Sequence, residues 1–194
     1  MNEMSLTQTI TDMAEPLAAS LGLDVWGVDV AFGKSGIVRV YVESGNGVDI
    51  DNCAELSRLL GLSLDVEDTL PGAYVLEVSS PGLERIFFTP EQLAQYTGKT
   101  IEVSLLEPSA VYPGRRNFLG TLVRAENGTF ALCPLDAPGV DAPLAEFCWN
   151  DIKKAKLVHF VPEVPGATKG RKPKQTKKAA EAEKSDGAQN DEEV

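Results

Sequence analysis

The chain is poor in the residues that carry most site chemistry. It has three cysteines, Cys53, Cys133 and Cys148, and no C-x-x-C pair. An odd, scattered set builds neither a disulfide framework nor a zinc site. Apolar neighbours mark all three as small core residues in a reducing compartment. The one histidine, His159, leaves no base to assemble with a serine or cysteine and a carboxylate. The carboxylates fall on expected helix ends and turns, without metal-ligand spacing. The expectation is a protein that is not an enzyme and takes no cofactor and no metal. Long apolar runs are missing as well. No stretch of about 18 residues is apolar, so no transmembrane helix is expected. The opening Met1-Asn-Glu-Met-Ser5 lacks the basic and apolar regions of a signal peptide. A cytoplasmic chain with no membrane partner is expected.

What is present is enough to fold. Hydrophobic residues make up 43% of 194 positions, which allows one or two small domains with buried cores. The net charge of −11 is segregated along the chain. Residues 1–168 hold 11 Lys/Arg and 23 Asp/Glu, residues 169–178 hold six basic residues and no acid, and residues 179–194 hold one Lys and six acids. An acidic body disfavours bare polyanions and suits a basic partner. The basic segment keeps a nucleic-acid contact open.

Periodicity places the elements. Leu6, Ile10, Met13, Leu17 and Leu21 form one helical face, with a kink or restart expected at Pro16 and an end at Gly22. Residues 23–32 and 37–44 alternate as strands, joined by a hairpin at Gly33-Lys-Ser-Gly36. That loop matches neither a backbone-clamping G-x-x-G between helices nor a phosphate loop, whose first glycine would fall at Val28. Asp51 or Asn52 caps a second helix with Cys53, Leu56, Leu60 and Leu64 on its apolar face, and Glu55 faces Arg58. A third strand, 74–79, follows Pro71-Gly72. A right-handed crossover makes strands two and three parallel, and a 2-1-3 order with both helices on one face is expected. Thr89-Pro90 starts a short helix over 91–96 that Gly98 ends. Strands are then expected at 100–106, 118–124, 129–133, 145–149 and 152–157, the pattern of a small β-barrel. Trp26 and Trp149 sit inside strand patterns, as core or near-core residues. After Pro162 the apolar period vanishes, and residues 163–194 read as disordered. The fold class is α+β: an αββαβ domain at 1–88, a β-barrel domain at 89–162 and a charged tail at 163–194.

The densest signal is Tyr74–Arg85, Y-V-L-E-V-S-S-P-G-L-E-R. A strand stops at Ser80-Pro81-Gly82, where Pro81 removes a ladder donor and Gly82 permits φ > 0. Leu83 is expected to pack, and Glu84 and Arg85 to face outward. On physics alone this is either a domain-exit turn or a binding loop. The stretch closely resembles the LEVSSPGLDR signature of the ribosome maturation factor family RimP. Three further patterns follow that family's order: Gly47-Val-Asp-Ile-Asp-Asn-Cys53, Leu64-Asp-Val-Glu-Asp68 and Asp151-Ile-Lys-Lys-Ala-Lys-Leu157. The resemblance spans most of residues 5–162. Glu84 replaces the family's usual Asp and keeps its charge. Ile86 replaces its usual Pro and is expected to free the backbone after Arg85.

The resemblance implies an αββαβ domain followed by an SH3-like (Sm-like) barrel. It also implies a non-catalytic protein that binds the immature small ribosomal subunit, contacts a basic small-subunit ribosomal protein near the decoding centre and promotes rRNA folding around the central pseudoknot. It ranks Ser79, Ser80, Pro81, Gly82 and Arg85 as partner-binding residues, with Asp65, Glu67 and Asp68 as acidic candidates. From charge alone, Asp65, Glu67 and Asp68 are a solvated face or a contact to basic groups. Arg115 and Arg116, on a Pro-Gly turn, contact phosphate or carboxylate or simply line a solvated loop. Lys169, Arg171, Lys172 and Lys174 form a basic arm for RNA or a solubilising segment. A monomer is expected when free. The competing readings are a protein–protein adaptor using an aromatic barrel groove, which has few aromatics to draw on, and a free RNA-binding domain, which the acidic body opposes.

Overall fold

The computed structural model describes residues 3–31, 36–68, 70, 72–137 and 143–159. The hairpin loop at 32–35 and the tail, with Lys169, Arg171, Lys172 and Lys174, lie outside the described residues. The chain is mixed α+β, built on two sheets. The first part runs α1 (Glu3–Ser20), β1 (Asp24–Ala31), β2 (Gly36–Glu43), α2 (Ile50–Val66) and β3 (Tyr74–Ser79).

The sheet order is β1-β2-β3, not the expected 2-1-3. β2 pairs antiparallel with β1 and parallel with β3. The charges across the strands agree with β2 at the centre. Arg39 lies opposite Asp29 on one side and Glu77 on the other, at 3.5 and 2.6 Å. With β1 central, the two carboxylates would be neighbours. Rows such as Val28–Val40–Val78 carry the apolar side, where both helices pack.

α1 differs from its sequence pattern in one respect. Its fully buried line is Leu6, Ile10, Ala14 and Ala18, and Met13, Leu17 and Leu21 are only partly buried. Two alanines let the helix approach the sheet closely, which pushes the larger side chains to its flank. The helix also runs unbroken through Pro16. The carbonyl that loses its partner belongs to exposed Asp12, on the solvent side of the helix. α2 is capped by Asp49, not Asp51 or Asn52, and the Asn52 N–H donates to its carboxylate at 2.7 Å. Leu56, Leu60 and Leu64 are buried as expected, and Arg58 pairs with Glu55 at 2.7 Å.

The second part runs β4 (Ile86–Phe87), α3 (Pro90–Ala94), β5 (Thr100–Leu105), β6 (Asn117–Glu126), β7 (Thr129–Pro134), β8 (Ala145–Cys148), a 3-10 turn (Trp149–Asp151) and β9 (Ile152–Leu157). These strands form one antiparallel sheet in the order β4-β9-β5-β6-β7-β8. Among the described residues no pairing joins β4 to β8. Phe118, Phe130, Leu122 and Leu132 fill its core. The strand expected to reach Trp149 stops at Cys148, because Asp151 accepts the Cys148 N–H at 2.9 Å and starts the turn. Cys148 is exposed at that edge, against the expectation of burial, and Cys53 and Cys133 are half-buried. Thr89 caps α3 as expected, accepting the Gln92 N–H at 3.2 Å.

Candidate partner-binding site

The signature turn follows β3 and links the two sheets. Ser80 Oγ accepts the Gly82 N–H at 3.3 Å, and Gly82 sits at φ 67°, where an L side chain is strained. Ser79, Ser80 and Gly82 are exposed and Pro81 is half-buried. Glu84 is exposed as expected, but the expected directions of Leu83 and Arg85 are reversed. Leu83 is 66% exposed, and Arg85 turns inward with its side chain 24% exposed. The Arg85 Nη1 donates to Glu43 at 3.1 Å and to the Tyr96 hydroxyl at 3.2 Å. Its guanidinium lies 4.8 Å from the centre of the Trp26 ring. A planar cation with several donors satisfies a carboxylate, a phenol and an aromatic face together, which leucine cannot.

Trp26 crosses between the sheets. A bulge in β1 between Val25 and Gly27 releases it from the ladder, and its indole packs in the second core. Its Nε1–H donates to the Ile86 carbonyl at 2.7 Å, and Gln92 Nε2 donates to the Trp26 carbonyl at 2.6 Å. Gln92 also accepts the Phe88 N–H at 2.8 Å. Gly27 lies so close to the Phe88 ring that a Cβ there would overlap it. The backbone after Arg85 is therefore held, contrary to the expectation from Ile86. The Arg85 carbonyl accepts from Leu157 at 2.9 Å, and Ile86 pairs with Lys156.

The acidic candidates gather at the end of α2, all exposed. Asp65 accepts the Tyr74 hydroxyl at 3.0 Å, and the Tyr74 phenol titrates above its ordinary range, first from burial and then from this bond. Glu67 ends the helix, and Asp68 adopts φ 45°, a left-handed conformation that Asp tolerates. The two loop arginines behave differently from each other. Arg115 is clamped: Nη1 pairs with Asp136 at 2.8 Å, Nε donates to the Asn117 carbonyl at 2.8 Å, and the guanidinium lies 4.5 Å from the Phe118 ring centre. Arg116 is more open and meets Glu107 only at 3.5 Å.

The model of the RimP N-terminal domain matches residues 13–84, from mid-α1 to the signature turn. A protein of Nitratidesulfovibrio vulgaris (strain DP4) named ribosome maturation factor RimP is 48% identical, over 86% of this chain and 97% of its own length. The chain belongs to the RimP family. A RimP of the Miyazaki F strain is 40% identical over 92% of each chain, and one of Lawsonia intracellularis is 37% identical over 88% of this chain and 97% of its own. The RimP N-terminal match closes just before Arg85, so Arg85 and its contacts with Trp26 and Tyr96 fall at the exit of that domain. Sequence reasoning passed over two residues beside the acidic group. Leu62 and Val66, four apart on α2, are 56% and 82% exposed. Their signal was present: both lie off the Leu56–Leu60–Leu64 line, on what should be a polar side of the helix.

Proposed function

We propose that the chain is a non-catalytic maturation factor for the small ribosomal subunit. It acts in the cytoplasm as a monomer, without cofactor, and engages a basic ribosomal protein and rRNA of the immature particle. In this reading residues 1–88 form the αββαβ domain, 89–162 an SH3-like barrel and 163–194 a charged tail. Membership of the RimP family supports the ribosomal assignment. The observation that carries the choice of partner is the charge of the helical layer. Arg58 is the one cation on α1 and α2, and it is paired with Glu55, whereas Asp12, Glu15, Asp51 and Asp65 lie on the same two helices with Glu67 and Asp68 just beyond. Such a field speeds encounter with a basic partner and repels naked RNA. Ser79, Ser80, Pro81 and Gly82 extend the contact on the exposed turn, and Arg85 holds that turn in place from beneath. RNA contact falls to Arg116 and to the tail residues Lys169, Arg171, Lys172 and Lys174; Arg115 orients its loop. Burial of Phe118, Phe130 and Phe147 counts against the adaptor reading, leaving Tyr112 and Trp149 half-buried.

The test is sedimentation of the full chain and of a 1–162 truncation with purified immature and mature small and large subunits at two salt concentrations. Co-sedimentation with immature small subunits alone is expected, weaker for the truncation. Equal recovery with mature or large subunits, or none at all, would overturn the reading.

A further inference from the structure

α1 and α2 do not close against each other along their whole length. Between them lies an open groove of about 690 Å³, with Met13, Pro16 and Leu17 on one side and Leu62 and Val66 on the other. Glu67 and Asp68, just past the last residue of α2, also line it. An apolar side chain exposed as far as Leu62 or Val66 costs solvation free energy for as long as nothing covers it. Among the described residues no cation lines the groove. The position of the apolar pair relative to the acids is what selects an occupant.

We infer that this groove is the docking site for an amphipathic segment of a basic protein, one that sets two apolar side chains against Leu62 and Val66 and a lysine or arginine against Glu67 and Asp68. This rests on the basic-partner reading above and locates it. A lipid surface is opposed, because anionic headgroups would meet two carboxylates of the groove lining and, among the described residues, no cation. Nucleic acid is opposed for the same reason. A second copy of the chain would bring the same acidic helices against themselves. A basic segment with apolar anchors satisfies both halves of the groove, in the manner of helix-in-groove recognition. The carboxylates steer the approach and the apolar pair holds the complex, so the two pairs have separable signatures.

Two variants of the full chain separate them. L62S/V66S removes the apolar contact at exposed positions, and E67Q/D68N removes the charge while keeping shape, asparagine being at home in the left-handed backbone at 68. The first assay uses a synthetic helical peptide of leucine and lysine with leucines four apart, and a scrambled peptide of equal charge, titrated against the ¹⁵N-labelled chain. Amide shifts centred on Met13, Leu17, Leu62 and Val66 are expected for the patterned peptide. L62S/V66S should weaken them by about tenfold or more. E67Q/D68N should flatten their salt dependence. Shifts elsewhere, or equal shifts from the scrambled peptide, would overturn the groove. The second assay measures binding of both variants to immature small subunits. If wild type binds them and L62S/V66S binds equally well, the groove is wrong and the ribosomal reading stands. If wild type binds no particle, the ribosomal reading falls and the peptide titration alone judges the groove.

Discussion

The helical layer over the first sheet and the surface of the second sheet treat charge in opposite ways. On α1 and α2 the carboxylates are spread out with a single paired cation, and apolar Leu62 and Val66 stand uncovered among them. Around the second sheet four long cations have an acidic neighbour. Arg115 meets Asp136, Arg116 meets Glu107, Arg124 meets Glu146, and Lys156 meets Glu102. Lys153 and Lys154 are exposed on β9. The difference teaches where a partner fits. A surface whose charges are matched internally offers little field, whereas an unmatched one attracts its complement. Arg85 sits between the two regions and matches Glu43 of the first with Tyr96 of the second.

The largest test of this contrast asks whether the two regions fold together. Phe118→Ala should cost ~3–5 kcal/mol and Leu60→Ala ~2–5 kcal/mol, since both side chains are fully buried. Trp26 and Trp149 both pack in the second core, whereas the long helices lie over the first. Fluorescence and far-ultraviolet dichroism therefore watch different regions. Because Trp26 bridges them, either variant should move both signals to one common lower urea midpoint. Two separated midpoints in wild type would mean that the cores are independent.

Gly27→Ala attacks the joint itself. Its new methyl must displace the Phe88 ring, at about 1–3 kcal/mol. The expected result is a lower midpoint together with loss of coincidence between the two signals. Arg85→Ala should cost about 1.5–3 kcal/mol by removing charged hydrogen bonds from a mostly covered site. Arg85→Lys should recover only part, because a lysine lacks the planar fork. Arg116→Ala, by contrast, should stay within about 0.5 kcal/mol. Equal costs for Arg85 and Arg116 in chemical denaturation would erase the distinction between joint and surface.

The smallest effect is an alkaline pH dependence, to which two tyrosines of the first sheet contribute beside Lys156 of β9, whose ammonium is raised first by its bond to Glu102. Burial raises the Tyr41 phenol, with Asp29 adding to it, and burial raises Tyr74, with the bond to Asp65 adding to it. The folded state thus keeps these protons above the ordinary value of 10.0. Their stabilisation is complete below that pH and is lost as pH rises through the raised folded values. Urea midpoints measured from pH 8 to 11.5 should fall, and less steeply for Tyr74→Phe. An unchanged slope would show that Tyr74 does not contribute.

Local pattern carried far in this chain. Alternation located every strand of the second sheet from β5 onward to within a few residues, and the Leu56–Leu60–Leu64 line found the buried face of α2. The 74–85 stretch and three shorter patterns were enough to identify the family. Those features are short-range: side-chain period, turn chemistry and residue order are written along the chain itself. What tertiary structure decided was every matter of partnership. β2 became the central strand, which sets Arg39 between Asp29 and Glu77. Arg85 turned inward because Glu43, Tyr96 and the Trp26 ring converge on it from sequence distances of 42, 11 and 59 residues. Ala14 and Ala18, not Met13 and Leu17, joined Leu6 and Ile10 on the buried line of α1 because their small side chains face the sheet. Leu62 and Val66 were left in the open beside the groove between α1 and α2. Composition and period fix which residues seek burial or a counter-charge, but which neighbour answers depends on long-range contacts that exist only once the chain has folded.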